Sequence, residues 1–249
     1  MYLYKIKEDG LVFELGIPKK NNQKIIILLP GLPGFPNKQD FLKQLTKQGY
    51  ITIYPRYRGT FESSGNFLSR SPAYDILELI SLLKNKKEFI ELYGKSKILV
   101  NYKEIIVLGS SFGGSISLHL SMLTKDVKKY IVIAPVLDFK RHNSMSKEQD
   151  LIAFGRFLIE AFPFVYRFKK KNYKKLIENK IIPSIFDNSP KLSGEIIVLH
   201  GDKDETVNIK NSKKLARLNK KIKFEVLDNM GHISFSDIGF EKMLKWLNQ

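Results

Sequence analysis

Apolar and polar positions along this chain follow two rhythms that take turns. Tyr2 to Lys7 and Leu11 to Ile17 alternate with a period of two around Asp9-Gly10, which predicts an antiparallel pair of strands at a sheet edge. Lys24-Ile25-Ile26-Ile27-Leu28-Leu29 is a continuous β-branched and aliphatic run, the pattern of a strand covered on both faces. Pro30-Gly31-Leu32-Pro33-Gly34 stops it. Phe41, Leu42, Leu45 and Tyr50 then recur at helical spacing, with Gly49 ending the element, and Ile51 to Tyr54 reads as a short strand. A long polar loop over 55–65 precedes Ser71-Pro72, which opens a helix carrying Ala73, Ile76, Leu77, Ile80 and Leu83. Glu104 to Leu108 predicts the next strand, Ile116, Leu118, Leu120 and Met122 the next helix, and Tyr130 to Ala134 a further strand closed by Pro135.

Strand and helix taking turns in this way predict βαβ units, hence a mostly parallel, doubly wound sheet with helices on both faces. The rhythm breaks between 138 and 193. There Leu151, Phe154, Phe157, Leu158, Phe162, Phe164, Tyr166 and Phe168 suit short amphipathic helices, with Pro163 and Pro183 as breaks. It returns with Glu195 to Leu199 as strand, Ile209 to Leu218 as helix, Lys223 to Leu227 as strand, and a last helix through Phe240, Met243, Leu244 and Trp246. The expected plan is one α/β domain built from 1–137 and 194–249, with 138–193 inserted as a helical cap over the carboxyl edge of the sheet.

Composition narrows this picture at a few points. A chain of 249 residues with 43% hydrophobic content can bury a sizeable core as one domain. Cysteine is absent, which excludes disulfides and thiolate nucleophiles. Neither a secretory h-region near the start nor an apolar run of membrane-spanning length appears, so the cytoplasm is the expected location. The formal net charge of +17 raises nucleic acid as a partner. Against it, the positive charge is mainly lysine spread from end to end, whereas phosphate recognition favours clustered arginine forks. Aromatic and apolar residues followed by Lys169, Lys170, Lys171, Lys174 and Lys175 leave weak contact of the cap with an anionic membrane surface as a further expectation.

The chemistry concentrates where the strand at Glu104 meets its helix, at Gly109-Ser110-Ser111-Phe112-Gly113. A serine hydroxyl is a weak nucleophile near neutral pH and has to be presented at a sharp strand-to-helix turn beside a base. Ser111 is so placed, and the flanking glycines let strand and helix pass closely. Of the four histidines, His119 falls mid-helix and suits packing, His142 falls in the inserted segment, and His200 ends a strand in a structural setting. His232 follows the last strand in a loop, where a sheet presents side chains at its carboxyl edge. The acid that fixes its tautomer is expected at Asp204 in His200-Gly201-Asp202-Lys203-Asp204. Asp202 is read as shaping the turn, and Asp138 is a weaker alternative. Two backbone donors complete the set, each worth on the order of 3 kcal/mol to such a reaction: Phe112 N–H after the serine, and Leu32 N–H in the loop after the Lys24 strand, where Pro30 and Pro33 cannot donate.

Gly109-x-Ser111-x-Gly113, Gly201-x-x-Asp204 and Gly231-His232, in that order, resemble the α/β-hydrolase superfamily over nearly the whole chain. Gly31-Leu32 is similar to its oxyanion loop, commonly His-Gly-x, with Pro30 in place of the histidine. Tyr57-Arg58-Gly59 and Ser110-Ser111-Phe112-Gly113-Gly114 look like its esterase, monoacylglycerol-lipase and prolyl-oligopeptidase-like branches. The resemblance implies an α/β-hydrolase fold and hydrolysis through an acyl-enzyme by a Ser111–Asp204–His232 triad, without metal or organic cofactor. A small-molecule acyl ester is the expected substrate. A small peptidase of prolyl-oligopeptidase type and a non-catalytic binding protein of the same fold are the alternatives. The chain lacks the large accessory domain usual in such peptidases, and no triad member is missing.

Overall fold

The computed structural model describes residues 2–36, 38–145, 151–232 and 240–248. Strands β1 (Tyr2–Glu8) and β2 (Leu11–Ile17) form the expected antiparallel hairpin. Its turn residues Asp9 and Gly10 take φ of 47° and 78°, the left-handed pair that a tight two-residue hairpin turn requires. Then follow β3 (Lys24–Leu29), α1 (Gln39–Lys47), β4 (Ile51–Arg56), α2 (Ala73–Asn85), a small hairpin of β5 (Glu88–Ile90) and β6 (Lys97–Leu99), β7 (Glu104–Ser110), α3 (Phe112–Leu123) and β8 (Lys129–Ile133). Four helices come next, α4 (Phe139–Met145), α5 (Leu151–Ala161), α6 (Lys170–Ile177) and α7 (Ile185–Asn188). The chain closes with β9 (Glu195–Gly201), α8 (Ile209–Leu218), β10 (Lys223–Leu227) and α9 (Phe240–Asn248).

Eight strands form one sheet in the order β1-β2-β4-β3-β7-β8-β9-β10, antiparallel at β1-β2-β4 and parallel from β4 onward. The continuous apolar runs of β3, β7 and β8 divide between two cores by simple alternation. Ile25, Ile27, Ile105, Val107 and Val132 pack with Ile76 and Ile80 of α2 and Ile116 and Leu120 of α3. Ile26, Leu28, Ile106, Leu108 and Ile131 pack on the other face with Leu42 and Leu45 of α1 and Met243 and Trp246 of α9. Both faces are dry, which is why these strands show no polar alternation.

Two elements differ from the sequence expectation. The β5-β6 hairpin was not foreseen, because its strands have three residues each and bury one apiece, Phe89 and Ile98, too short for a period to register. Strand β4 runs two residues past Tyr54, through Pro55. Its pairing with β3 has ended by Ile53, so proline's missing N–H interrupts no ladder bond on that side.

The chain crosses from β3 outward to β4 and then returns to β7 on the other flank of β3. Reversals of this kind open a crevice at the carboxyl ends of the strands. β3 and β7 pair from Lys24↔Glu104 to Leu29↔Gly109, so the loop at Pro30 and the turn at Ser111 leave the sheet side by side. Helices α4 to α7 lie in chain order between the paired strands β8 and β9. Their segment is stitched to the polar loop after β4 by Phe61 N–H to Val165 O (3.0 Å), Arg167 N–H to Gly59 O (2.9 Å) and Phe67 N–H to Arg167 O (2.7 Å).

The glycines of the serine turn are required by space. A Cβ on Gly113 would sit 2.1 Å from the Leu29 carbonyl oxygen, and one on Gly109 would sit 2.4 Å from the Gly113 carbonyl oxygen. In both cases the obstacle is backbone, which cannot swing aside. Gly113→Ala is therefore expected to destabilise the protein by about 2 kcal/mol or more, whereas Gly65→Ala, at positive φ with its Cβ in ordinary contact 3.8 Å from Arg58 Cβ, loses about 1 kcal/mol. Urea unfolding of the two variants measures the difference, and equal losses would contradict the steric argument.

Candidate active site

Ser111 stands between β7 and α3 with φ 53° and ψ −117°, a conformation that a residue bearing a Cβ adopts only under strain of roughly 1–3 kcal/mol. What holds it there is backbone bonding on both sides. Its N–H donates to Ile133 O at 2.8 Å, and its carbonyl accepts the Ser115 N–H at 3.2 Å. The side chain is thereby lifted out of the strand at the carboxyl edge of the sheet.

Asp204 follows β9, and its carboxylate is fully buried. Both oxygens are in use. Oδ1 accepts the N–H groups of Thr206 (2.9 Å) and Val207 (2.8 Å). Oδ2 lies 2.8 Å from His232 Nδ1 and 3.2 Å from His200 Nε2. Burial pushes this carboxyl up, but the bonds from His200, His232 and Val207 outweigh it and hold the group well below the usual carboxylate range. An ionised Asp204 accepts the Nδ1–H of His232, which leaves the Nε2 lone pair of a neutral imidazole available as a base. The Asp204 and His232 loops are laced together by Lys203 N–H to Met230 O (2.9 Å), Asp202 N–H to Leu227 O (3.2 Å) and Met230 N–H to Asp202 Oδ1 (3.3 Å). Asp202 thus bonds across to the His232 loop, whereas its sequence position suggested bonds within its own turn.

Among the other residues weighed from sequence, Asp138 Oδ1 accepts Arg141 N–H (2.9 Å) and Asn179 Nδ2–H (2.8 Å), and so serves the start of α4. His119 is buried with Nδ1 at 2.8 Å from Ser71 Oγ, and burial lowers its pKa to about 4. His200 takes a larger part than a histidine closing a strand announces. It is fully buried, and its Nε2 is 2.7 Å from Val207 O, which can only accept. Nε2 therefore carries the proton and shares it with Asp204, while Nδ1 accepts from Ser212 Oγ at 2.8 Å.

The loop after β3 is clamped by three tyrosines that no local pattern announces. Tyr57 Oη donates to Pro30 O (3.1 Å) and Tyr54 Oη to Phe35 O (3.0 Å). Tyr166 Oη accepts from Gly34 N–H (2.7 Å) and donates to Gly34 O (3.0 Å). Burial raises all three phenols, Tyr166 to about 12, so each keeps the proton it donates. With Pro30 where a histidine is usual in the superfamily, the anchoring of this loop falls to phenols.

Ser111, Phe112, Leu32 and His232 line one cavity of about 630 Å³. Phe139, Leu151, Phe154, Phe157 and Leu176 form much of its wall, and His142, for which sequence offered no partner, is buried in the same wall. All five residues singled out from sequence thus meet around one space, four on its surface and Asp204 behind His232.

The model of the prolyl oligopeptidase family matches residues 37–249. The chain belongs to this family. Its fold is that of the α/β hydrolases. It is similar in structure to an α/β hydrolase from the metagenome of lagoon sediments at Mar Chica, Morocco (16% identity, covering 100% of this chain and 98% of that one, TM-score 0.67). It is also similar to Est1E of Butyrivibrio proteoclasticus with bound ferulic acid (18% identity, 98% and 99% covered, TM-score 0.68). The α/β hydrolase GrgF of a Penicillium species is a third (16% identity, 99% and 96% covered, TM-score 0.70). No curated protein matches the chain by sequence. Among the described residues, no helix is long and apolar enough to cross a membrane, and no group of three or more metal-ligating side chains is placed to hold an ion.

For this member of the family the depressed Asp204 pKa has a defined sign. Because the folded value lies below the unfolded one of about 3.9, the carboxylate's stabilisation is complete above that pH and is lost as pH falls through the folded value. The gap in unfolding free energy between wild type and Asp204→Asn should therefore narrow on acidification below about pH 4. Thermal unfolding of both proteins from pH 7 to pH 3 measures it, and a gap that stays constant would remove the assigned ionisation.

Proposed function

We propose that this protein is a serine hydrolase that cleaves carboxylic esters of apolar acids through an acyl-enzyme on Ser111. The observation that carries the reading is the composition of the cavity. Among the described residues, its wall carries no Asp, Glu, Lys or Arg, and aromatic and aliphatic groups lead from Ser111 and His232 toward α5 and α6. Such a wall accommodates an acyl chain and supplies no acid to hold a peptide's amino terminus. The helical insertion 138–193 acts as the cap, giving the acyl pocket its outer side.

In this reaction His232 takes the Ser111 hydroxyl proton as Oγ attacks the ester carbonyl carbon. The oxyanion that forms is met by the N–H groups of Phe112 and Leu32. Collapse of the tetrahedral species breaks the bond to the leaving oxygen, which departs as an alcohol after taking the proton from His232. Water, deprotonated by His232, then attacks the acyl-enzyme, and a second collapse releases the carboxylic acid and restores Ser111. Asp204 stays ionised throughout and stabilises the imidazolium. The tyrosine clamp holds the Leu32 donor in place before charge develops, so none of its ordering is left to the moment of reaction.

The family match favours a second reading, hydrolysis of peptide or aminoacyl amide bonds by the same residues. Turnover of a panel of acyl esters from two to sixteen carbons against aminoacyl amides separates the two, with medium-chain esters expected to be preferred. Ser111→Ala should lower ester turnover by roughly 10³-fold or more with unfolding unchanged. A fluorophosphonate should label wild type at Ser111, and absence of both labelling and turnover would reject the catalytic reading. Asp204→Asn should cost more activity than Asp202→Asn, and the opposite order would move the acid to Asp202.

A further inference from the structure

Tyr173 of α6 belongs to two cavities. One is the space containing Ser111; the other is a groove of about 670 Å³ between α5 and α6. From α5 the groove takes Ile152, Gly155, Arg156 and Ile159, spaced i, i+3, i+4 and i+7, one face of the helix. From α6 it takes Lys170, Lys174 and Ile177, again one face, with Lys171 beside them. Gly155 lets the two helices close up: a Cβ there would lie 2.4 Å from the Tyr173 ring, so the ring fills the helix surface where a side chain would otherwise be.

The two faces share one chemistry. Their middle is isoleucine, and Ile152 remains 57% exposed, so apolar surface faces water there. Around it stand four cations, Arg156, Lys170, Lys171 and Lys174, against one acid, Glu178, which Lys180 engages at 2.8 Å. Among the described residues, none of the four cations forms an ion pair. Aliphatic surface edged by net positive charge is complementary to a molecule with an aliphatic chain and a single anionic head. Three of the four cations are lysines, point charges suited to a hydrated carboxylate rather than to the forked recognition of a phosphate. The volume lies within the range of roughly 300–1,000 Å³ usual for small-molecule sites.

We propose that the α5–α6 groove is a second binding site, for the carboxylate form of a medium- or long-chain fatty acid. The chain lies along Ile152, Ile159 and Ile177, and the head meets the cations of α6 and Arg156. The site is separate from the Ser111 cavity and needs no turnover. The Tyr173 ring is common to both walls.

The test is titration calorimetry of dodecanoate, below its micellar concentration, into Ser111→Ala and into wild type whose Ser111 carries a small fluorophosphonate. Saturable binding at one equivalent is expected in both. A combined Lys170→Gln, Lys171→Gln, Lys174→Gln variant should weaken binding at least tenfold, and Ile159→Glu should abolish it. Dodecanol, with the same chain and no charge, should bind at least tenfold more weakly than dodecanoate. All of these side chains are wholly or partly exposed, and circular dichroism of the variants verifies that they fold. No saturation, binding indifferent to the lysine and Ile159 changes, or binding lost on phosphonylation of Ser111 would each overturn the proposal. So would association with anionic phospholipid vesicles without binding of monomeric dodecanoate, since the face would then be a membrane contact. Ester hydrolysis by wild type is scored separately, so failure at the groove and failure at Ser111 give different results.

Discussion

The site rests on one steric constraint, the close passage of α3 across the ends of β3 and β7. Those strands are paired in register to Leu29↔Gly109, and the first turn of α3 sits on the Leu29–Pro30 backbone with no room for a Cβ at Gly113. Beside that contact Ser111 holds φ 53°, a strained conformation for a residue with a Cβ. The same passage brings the Pro30–Gly34 loop against the serine: a Cβ on Gly31 would lie 3.5 Å from Ser111 Cβ. Ser111 and the Gly31 backbone, taken from the ends of strands 80 residues apart, thus become neighbours because two strands are neighbours.

A second constraint fixes the imidazole. A buried carboxylate is costly unless each oxygen is satisfied, and Asp204 meets that cost with two backbone N–H groups on Oδ1 and two histidines on Oδ2. His200 has all its hydrogen-bonding capacity committed, through Val207 O, Ser212 Oγ and the carboxylate. It therefore acts on Asp204 as a fixed donor, while His232, whose side chain is 25% exposed, lines the cavity that Ser111 also lines. Two imidazoles on one carboxylate oxygen thus have unequal roles, set by burial and by what their second nitrogens touch.

How far the sequence could be read follows from the range over which each interaction acts. β3, β7, α8 and β10 were legible because their signals are local: aliphatic runs for the parallel strands and a helical stripe for α8. Ser111 was legible because a strand, a Gly-x-Ser-x-Gly turn and a helix are contiguous. Asp204 and His232 could be selected by position after their strands, but the reason Asp204 rather than Asp202 faces His232 lies in the bonds between the two loops. The β5-β6 hairpin was invisible because three half-exposed residues carry no period. The tyrosine clamp was invisible for the opposite reason: Tyr166 reaches Gly34 across 132 positions, and a phenol in an aromatic stretch announces only that it is apolar.

The helices between β8 and β9 reconcile two features that pull apart in the composition, a strongly basic chain and a cavity wall without Asp, Glu, Lys or Arg among the described residues. α5 and α6 are each two-faced. Toward Ser111 they present Leu151, Phe154 and Leu176; toward the groove they present isoleucine and cations. Lysine is tolerated at that boundary because its alkyl stem can cover apolar surface while its ammonium stays in water. The four cations thus line the groove, while among the described residues the wall shared with Ser111 carries no Asp, Glu, Lys or Arg. Charge so near the cavity still has an effect, because a rim of cations favours the approach of anionic amphiphiles and the departure of none. The two faces of α5 and α6 therefore differ in chemistry because each lines a different space, apolar beside Ser111 and cationic at the groove.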